Sequence, residues 1–290
     1  MSEPKIMVTG SKGFIGINVK KSFKNVVEFD VALNKIHNIF DRYMISEFLK
    51  KEKPQVVIHL AANAHPPTSI AYPPHDLETN VLGTVNLLEC CKEFGINHFI
   101  YSSSAVVYGQ PRYLPINENH PINPSIPYGI SKFSGELYCK YYHKIGVPTT
   151  ILRFFNIYGE SQPYGYFVPD IIKKIKEIKT KKIELKGSPQ DSRDFLHVED
   201  LANCIKQVVI KKPFGQIFNV GGGKGYQIKQ VAEIITKILN KQKTFYYNAS
   251  AKKKKGTKLH ADIRLAKKIL DWKPKISLYE GLKRTIDYYN

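Results

Sequence analysis

Tyr128 and Lys132 stand four residues apart in "YGISK", and Ser104 closes a run of three hydroxyls 24 residues earlier. On a helix that spacing puts the phenol and the ammonium on one face. An ammonium beside a phenol favours the phenolate, so Lys132 is expected to lower the Tyr128 pKa toward that of a usable general base. The serine cluster that precedes the pair adds weight to that reading. A Tyr-x-x-x-Lys pair alone is common on structural helices and gains meaning only from its surroundings. The two residues after Ser104 are equally informative. They are Ala105 and Val106, and neither can give or take a proton.

A second pattern opens the chain. Gly10-x-x-Gly13-x-x-Gly16 follows the apolar "KIMVT" and runs into the helical "FIGINVKKSF". Glycines let a backbone approach a pyrophosphate, and the helix start offers N–H donors and the positive end of its dipole. Asp30 ends the next strand about 20 residues on, where a carboxylate can accept both hydroxyls of an adenosine ribose. The same charge repels a 2′-phosphate, so NAD is the expected cofactor rather than NADP.

Behind these residues runs a regular alternation of elements. "KIMVTG", "NVVEFD", "QVVIHLAA", "HFIYSSS" and "PTTILRFFNIYG" read as strands. Between them "GFIGINVKKSF", "ISEFLKKEK", "LETNVLGTVNLLECCKEFG" and "YGISKFSGELYCKYYHKIG" read as helices. Continuous apolar strands separated by helices predict a parallel sheet covered on both faces, the doubly wound α/β (Rossmann) class. After residue 157 the rhythm loosens into "YGESQPYGYFVP" and mixed short elements. The expected organisation is a dinucleotide-binding domain over 1–156, to which the chain returns at about 194–220. A smaller, discontinuous α/β substrate-binding portion takes 157–193 and 221–290.

Composition narrows the partners. The 290 residues include 42% hydrophobic ones, ordinary for a globular protein. No apolar run approaches the roughly 20 residues that span a bilayer, and a strand starts too near the first residue for a signal peptide. Cys90, Cys91, Cys139 and Cys204 have no metal-ligand spacing. A reduced, cytoplasmic protein with no membrane partner and no metal is expected. The net charge of +19 raises the question of nucleic acid. Its lysines are spread over the chain, and helices such as "IIKKIKEIKTKK" read as solvated faces, so no nucleic-acid partner is expected. The one local basic run, "AKKKKG" at 251–256, suits a smaller anion such as a diphosphate.

Taken in order, "TGSKGFIG", "VVIHLAA", "NVLGTVNLLE", "IYSSSAVVYG", "YGISK", "LRFFNIYG", "RDFLHVEDLA", "FNVGGG" and "ADIRLAKKILDWKPKISLYEGLKRTIDYY" run the length of the chain. With them the sequence resembles the extended short-chain dehydrogenase/reductases that act on nucleotide sugars. The resemblance implies a catalytic Ser104, Tyr128 and Lys132. It implies an NAD bed of Gly10, Gly13, Phe14, Ile15, Gly16, Asp30, Leu60, Ala61, Ala62 and Ser102, shared with Tyr128 and Lys132. Asn38 and Ile39 fall at the adenine, and Asn80 beside the nicotinamide half. For the nucleotide-sugar substrate it implies Ser104, Asn156, Arg193 and Lys254. It further implies a homodimer through the two helices "LETNVLGTVNLLECCKEF" and "YGISKFSGELYCKYYHKI".

The chain departs from that pattern at three places. Asn38 replaces an acidic residue, the segment between Asp30 and Asn38 is short, and Lys254 and Thr257 stand where an arginine and an aspartate are usual. Ala105 and Val106 then decide between activities. Members that remove water across C5 and C6 place an acidic pair there, because elimination needs one group to remove the C5 proton and another to protonate the leaving hydroxyl. The implied activity is therefore NAD-dependent C4 epimerisation of a UDP-glucose/UDP-galactose-type or N-acetylated substrate through a 4-keto sugar. A nucleotide-sugar ketoreductase and a non-catalytic NAD-binding protein are the other readings. Cofactor stoichiometry separates the three.

Overall fold

The computed structural model describes residues 3–35 and 37–290. Its strands, in chain order, are β1 (Ile6–Thr9), β2 (Val26–Phe29), β3 (Val56–His59), β4 (His98–Ser104), β5 (Thr149–Phe154), β6 (Asn156–Tyr158), β7 (Lys182–Glu184), β8 (Ser192–His197), β9 (Ile217–Val220), β10 (Gly225–Gln227) and β11 (Thr244–Tyr246). Six of them form one parallel sheet in the order β2–β1–β3–β4–β5–β9. The doubly wound class read from the sequence is the fold observed.

The period of two along each strand explains why the strands are apolar throughout. In β1, Ile6 and Val8 enter one core cluster and Met7 the other; in β3, Val56 and Ile58 divide from Val57 in the same way. The first cluster is closed by the helices Phe14–Lys20, Val198–Lys211 and Arg264–Leu270, the second by Arg42–Glu52, Gly83–Glu93 and Pro127–Lys144.

The sheet stops at β2. From Asp30 the chain goes through turns into the helix Arg42–Glu52, and the described residues form no strand before β3. Asn38 caps its own turn by accepting from the Phe40 N–H at 3.1 Å, and His37 stacks on Phe29 at 4.9 Å. Residues 31–41 are too few, and too rich in turn formers, to add another strand beside β2.

The rest of the chain builds a three-stranded sheet, β10–β8–β6, and a two-stranded one, β11–β7. A third core cluster lies under the helices Phe167–Glu177, Ile228–Ile238 and Leu278–Tyr288. The lysine-rich helix buries Ile171, Ile172 and Ile175 and leaves Lys173 and Lys176 exposed. Between these pieces the chain re-enters the large sheet through the helix Val198–Lys211 and β9, while β8 pairs within the smaller sheet. No helix among the described residues is long and apolar enough to cross a membrane.

Candidate active site

The glycine turn leaves β1 with Gly10 at φ +66°, where L side chains are strained. A Cβ on Gly10 would sit 2.8 Å from the Ala61 amide nitrogen, and one on Gly16 would collide with the Gly10 carbonyl oxygen. The turn has to be bare. Gly13 begins the helix Phe14–Lys20 without a side-chain cap, so the first N–H groups are left for an incoming anion. Asp30 is buried beside it and accepts from the N–H groups of Lys12 and Ala32, both at 2.8 Å. Each carboxylate oxygen keeps a lone pair for a ribose hydroxyl.

The ends of β1 and β3 are locked by a buried polar line. Thr84 donates to the Asn80 carbonyl at 2.7 Å, so it must accept from His59 Nε2 at 3.0 Å. His59 Nδ1 is then an acceptor for Thr9 Oγ1 at 2.7 Å, and Thr9 takes the N–H groups of Leu60 and Ala61, both at 3.1 Å. That order fixes His59 as the neutral Nε2–H tautomer. Burial, helped by the Lys132 charge, pushes its pKa down to about 3. Ser102 ties β4 to the same place by donating to the His59 carbonyl at 2.7 Å.

The helix Pro127–Lys144 carries Tyr128 and Lys132. Pro127 starts it with a preset φ and no N–H to satisfy. Gly135 lets it lie directly on β4, because a Cβ there would run into the Tyr101 hydroxyl. Along β4 the three serines divide by strand alternation. Ser103 donates to Glu136 of the Pro127–Lys144 helix at 2.5 Å, and Glu136 is gripped bidentately by Arg153 at 2.8 and 2.7 Å. Ser104, on the same side as Ser102, accepts from the Val106 N–H at 3.3 Å.

A cleft of about 300 Å³ opens at the carboxyl ends of the parallel strands. It brings together Ser104, Tyr128 and Lys132, with Ala105, Val106 and Asn156 around them. Phe14, Ile15, Leu60, Ala62 and Ser102 also line it. Among the described residues no aspartate, glutamate or histidine does.

The electrostatics correct one expectation. Burial pushes the Tyr128 phenol well above its ordinary value; the Ser104 hydroxyl opposes this, and Tyr166 and Asp76 add to it. The Lys132 ammonium sits over the Tyr101 ring, 4.8 Å from the centroid. Burial also pushes Lys132 down, to about 8, against Cys139, Glu136 and Asp76. Desolvation outweighs the pairing that spacing suggested.

Other expected residues lie apart. Asn80 sits in a π-helical turn, Leu77–Leu82, and clamps Asn63 by accepting its N–H at 2.8 Å and donating to its carbonyl at 3.1 Å. Ile39 is buried against Gly83 rather than open to a ligand. Asn156 is exposed at the cleft. Arg193 and Lys254 do not line it. The Arg193 guanidinium donates to the carbonyls of Ser192 and Thr257 at 2.9 and 2.6 Å. Lys254 is exposed, its backbone carbonyl taken by Ser188. Two neighbours of Tyr128 escaped the sequence reading. Tyr166 lines the cleft and donates to the Ala64 carbonyl at 3.2 Å. Asp76 is buried four residues before Asn80, a spacing that put it on the same helical face, with nothing in the sequence to say that the face turns inward.

The bare turn, the uncapped helix start and Asp30 fit a dinucleotide. Gly10, Gly13 and Gly16 would hold its pyrophosphate and Asp30 its adenosine ribose. The profile of the NAD dependent epimerase/dehydratase family matches residues 6–221. A UDP-glucuronate 4-epimerase of Thermodesulfobacterium geofontis is 36% identical over 94% of this chain and 82% of its own length. A UDP-glucose 4-epimerase of Lactobacillus helveticus is 29% identical over 93% and 92%. The crystal structure of a UDP-glucose 4-epimerase from Thermotoga maritima with UDP-glucose superposes with a TM-score of 0.87, at 28% identity and 98% coverage of both chains.

Proposed function

The chain belongs to the NAD dependent epimerase/dehydratase family, and from that premise we propose that it inverts C4 of a nucleotide-activated hexose. The substrate class is UDP-glucose/UDP-galactose or an N-acetylated analogue, and the reaction passes through a transient 4-keto sugar. NAD is the cofactor, and when bound it supplies a reversible hydride acceptor. One observation carries the reading. The cleft offers Ser104, Tyr128 and Lys132, and Ala105 and Val106 fill the place where an elimination would need an acid and a base.

Tyr128 removes the proton of the sugar 4-hydroxyl as C4 is oxidised and returns it to the carbonyl oxygen as C4 is reduced. Ser104 donates to the same oxygen and holds it in place through both halves. Lys132 would hold the nicotinamide ribose and carries positive charge that stabilises the oxyanion formed between the two states. The set balances: one proton and one hydride leave the sugar and both come back. Asn156 stands at the cleft to meet the substrate beyond the reacting carbon, while Arg193 and Lys254 reach it only if their side chains swing from their present positions. The exposed apolar side chains Leu77, Leu82, Ile130, Leu137 and Tyr141 support a homodimer.

Incubating the protein with UDP-, GDP- and dTDP-sugars, without added cofactor, tests the reading. A C4 epimer formed at constant bound NAD is expected. Turnover only with added NADH or NADPH, leaving oxidised cofactor behind, would replace the epimerase with a ketoreductase.

A further inference from the structure

The helix that bears Tyr128 and Lys132 carries a third polar residue at the same interval. Glu136 follows Lys132 by four residues, as Lys132 follows Tyr128, so the three share one helix face. Glu136 is fully buried and does not line the cleft. Its partner is the buried Arg153 of β5, which meets both carboxylate oxygens in a forked ion pair. Ser103 stands beside Arg153 in the register of β4 and β5, and its hydroxyl donates to the same carboxylate. The guanidinium reaches further. Its Nη1 donates to Tyr108 Oη at 2.8 Å and to the Glu118 carbonyl at 3.2 Å. Tyr108 in turn donates to Asn219 Oδ1 on β9 at 2.7 Å.

The pair is therefore a junction. On it meet β4, β5, β9, the helix Pro127–Lys144 and the short turn Ala105–Tyr108. Ser104, Ala105 and Val106 lie between two of its contacts, Ser103 and Tyr108. Lys132 and Tyr128 lie one and two turns along the helix from a third, Glu136. Burying two charges costs about as much as their attraction returns, so such a pair adds little stability. A guanidinium fork on a carboxylate does fix distance and angle closely. We propose that Ser103, Glu136 and Arg153 are positioning residues: they set where the Ser104 hydroxyl stands relative to the Tyr128 phenol, and handle no proton or hydride themselves. This rests on the reading in which Ser104 and Tyr128 act on one substrate oxygen.

Removing Glu136 or Arg153 would strand the other charge and endanger the fold, so the test starts from Ser103, a neutral donor. Ser103→Ala unties the strand end from the helix and leaves the ion pair in place. Its kcat is expected to fall roughly tenfold, because a small misplacement is costly to the chemical step, with KM changed by less than about twofold. Ser103→Thr keeps the hydroxyl and should recover most of the rate. The decisive comparison uses a Ser104→Ala background. The hydroxyl to be placed is then gone, so adding Ser103→Ala should cost less than about twofold more. An unchanged kcat in Ser103→Ala overturns the proposal. So does an equal loss in both backgrounds, since independent effects multiply. Should Ser103→Ala not fold, Tyr108→Phe loosens the other end of the turn and takes its place in both backgrounds, with the same results expected and the same ones overturning. Failure of the underlying reading shows separately, as undiminished turnover by Tyr128→Phe.

Discussion

In the proposed reaction Tyr128 exists in two protonation states, and the fold favours one of them. Burial holds the phenol protonated, the state that gives a proton to a carbonyl, so taking a proton requires positive charge brought close. Oxidised NAD carries such a charge. The tyrosinate absorbance that Tyr128→Phe abolishes is therefore expected to titrate at lower pH with NAD⁺ than without it; an unchanged midpoint would place the nicotinamide away from this phenol. Tyr128→Phe should itself lower turnover about 10²–10⁴-fold while substrate still binds. Asp30→Ala should weaken NAD binding and relax the exclusion of NADP, since ribose acceptors and phosphate repulsion go together. A wild-type preference for NADP in a binding titration contradicts that role. The spacing of Tyr128 and Lys132 after Ser104 singled out in the sequence three residues that the fold brings to one cleft. The direction of the Tyr128 shift was not legible, because it depends on how much protein covers the phenol. Asp76 was invisible for a related reason: its partners Asn63 and Ser69 come from the segment after β3 and from the short helix Pro66–Ala71, whose placement no periodicity encodes.

Elements place these groups by close contact and by buried polar lines. Gly135 sets the height of the catalytic helix over β4, so Gly135→Ala should push its Cβ into Tyr101 and destabilise the fold by about 1–3 kcal/mol, read as a lowered denaturation midpoint. The central sheet is also expected to weaken in acid. His59 ends β3, and His98 starts β4 against Thr150 at 2.9 Å. Burial lowers their pKa values from 6.5 to about 3 and about 4. The unfolded chain takes up these protons below pH 6.5 and the folded one does not. Stability therefore falls with pH between 6.5 and about 4, by up to about 1.4 kcal/mol per unit for each histidine. Urea denaturation near neutrality and near pH 5 measures the loss; equal stability at both would mean the folded protein binds the protons too. The sequence displayed the strands of the sheet as continuous apolar runs, since burial on both faces leaves no polar side. It did not display the end of the sheet at β2, because the turns of Asn38 and the stacking of His37 replace a strand without leaving a hydrophobic signature.

At the scale of the whole molecule the apolar surface is uneven. Ile130, Leu137 and Tyr141, at 53%, 50% and 55% exposure, recur along one face of the helix Pro127–Lys144, and Leu77 and Leu82 are exposed on the neighbouring turn. Exposed apolar side chains of this kind suit the proposed dimer, in which a second copy would cover them with the same face. Light scattering should give the mass of a dimer for wild type and of a monomer for Leu137→Glu; a wild-type monomer at every concentration contradicts the assembly. The central claim concerns the reaction itself: hydride leaves and returns at one carbon, and no water is lost. Running the reaction in D₂O with the unmodified enzyme tests this most directly. The account predicts a C4 epimer of unchanged mass with no carbon-bound deuterium, because the hydrogen at C4 never mixes with solvent. A 6-deoxy-4-keto product that has lost water and gained deuterium at carbon would contradict it, and would require an acid–base pair that Ala105 and Val106 do not provide.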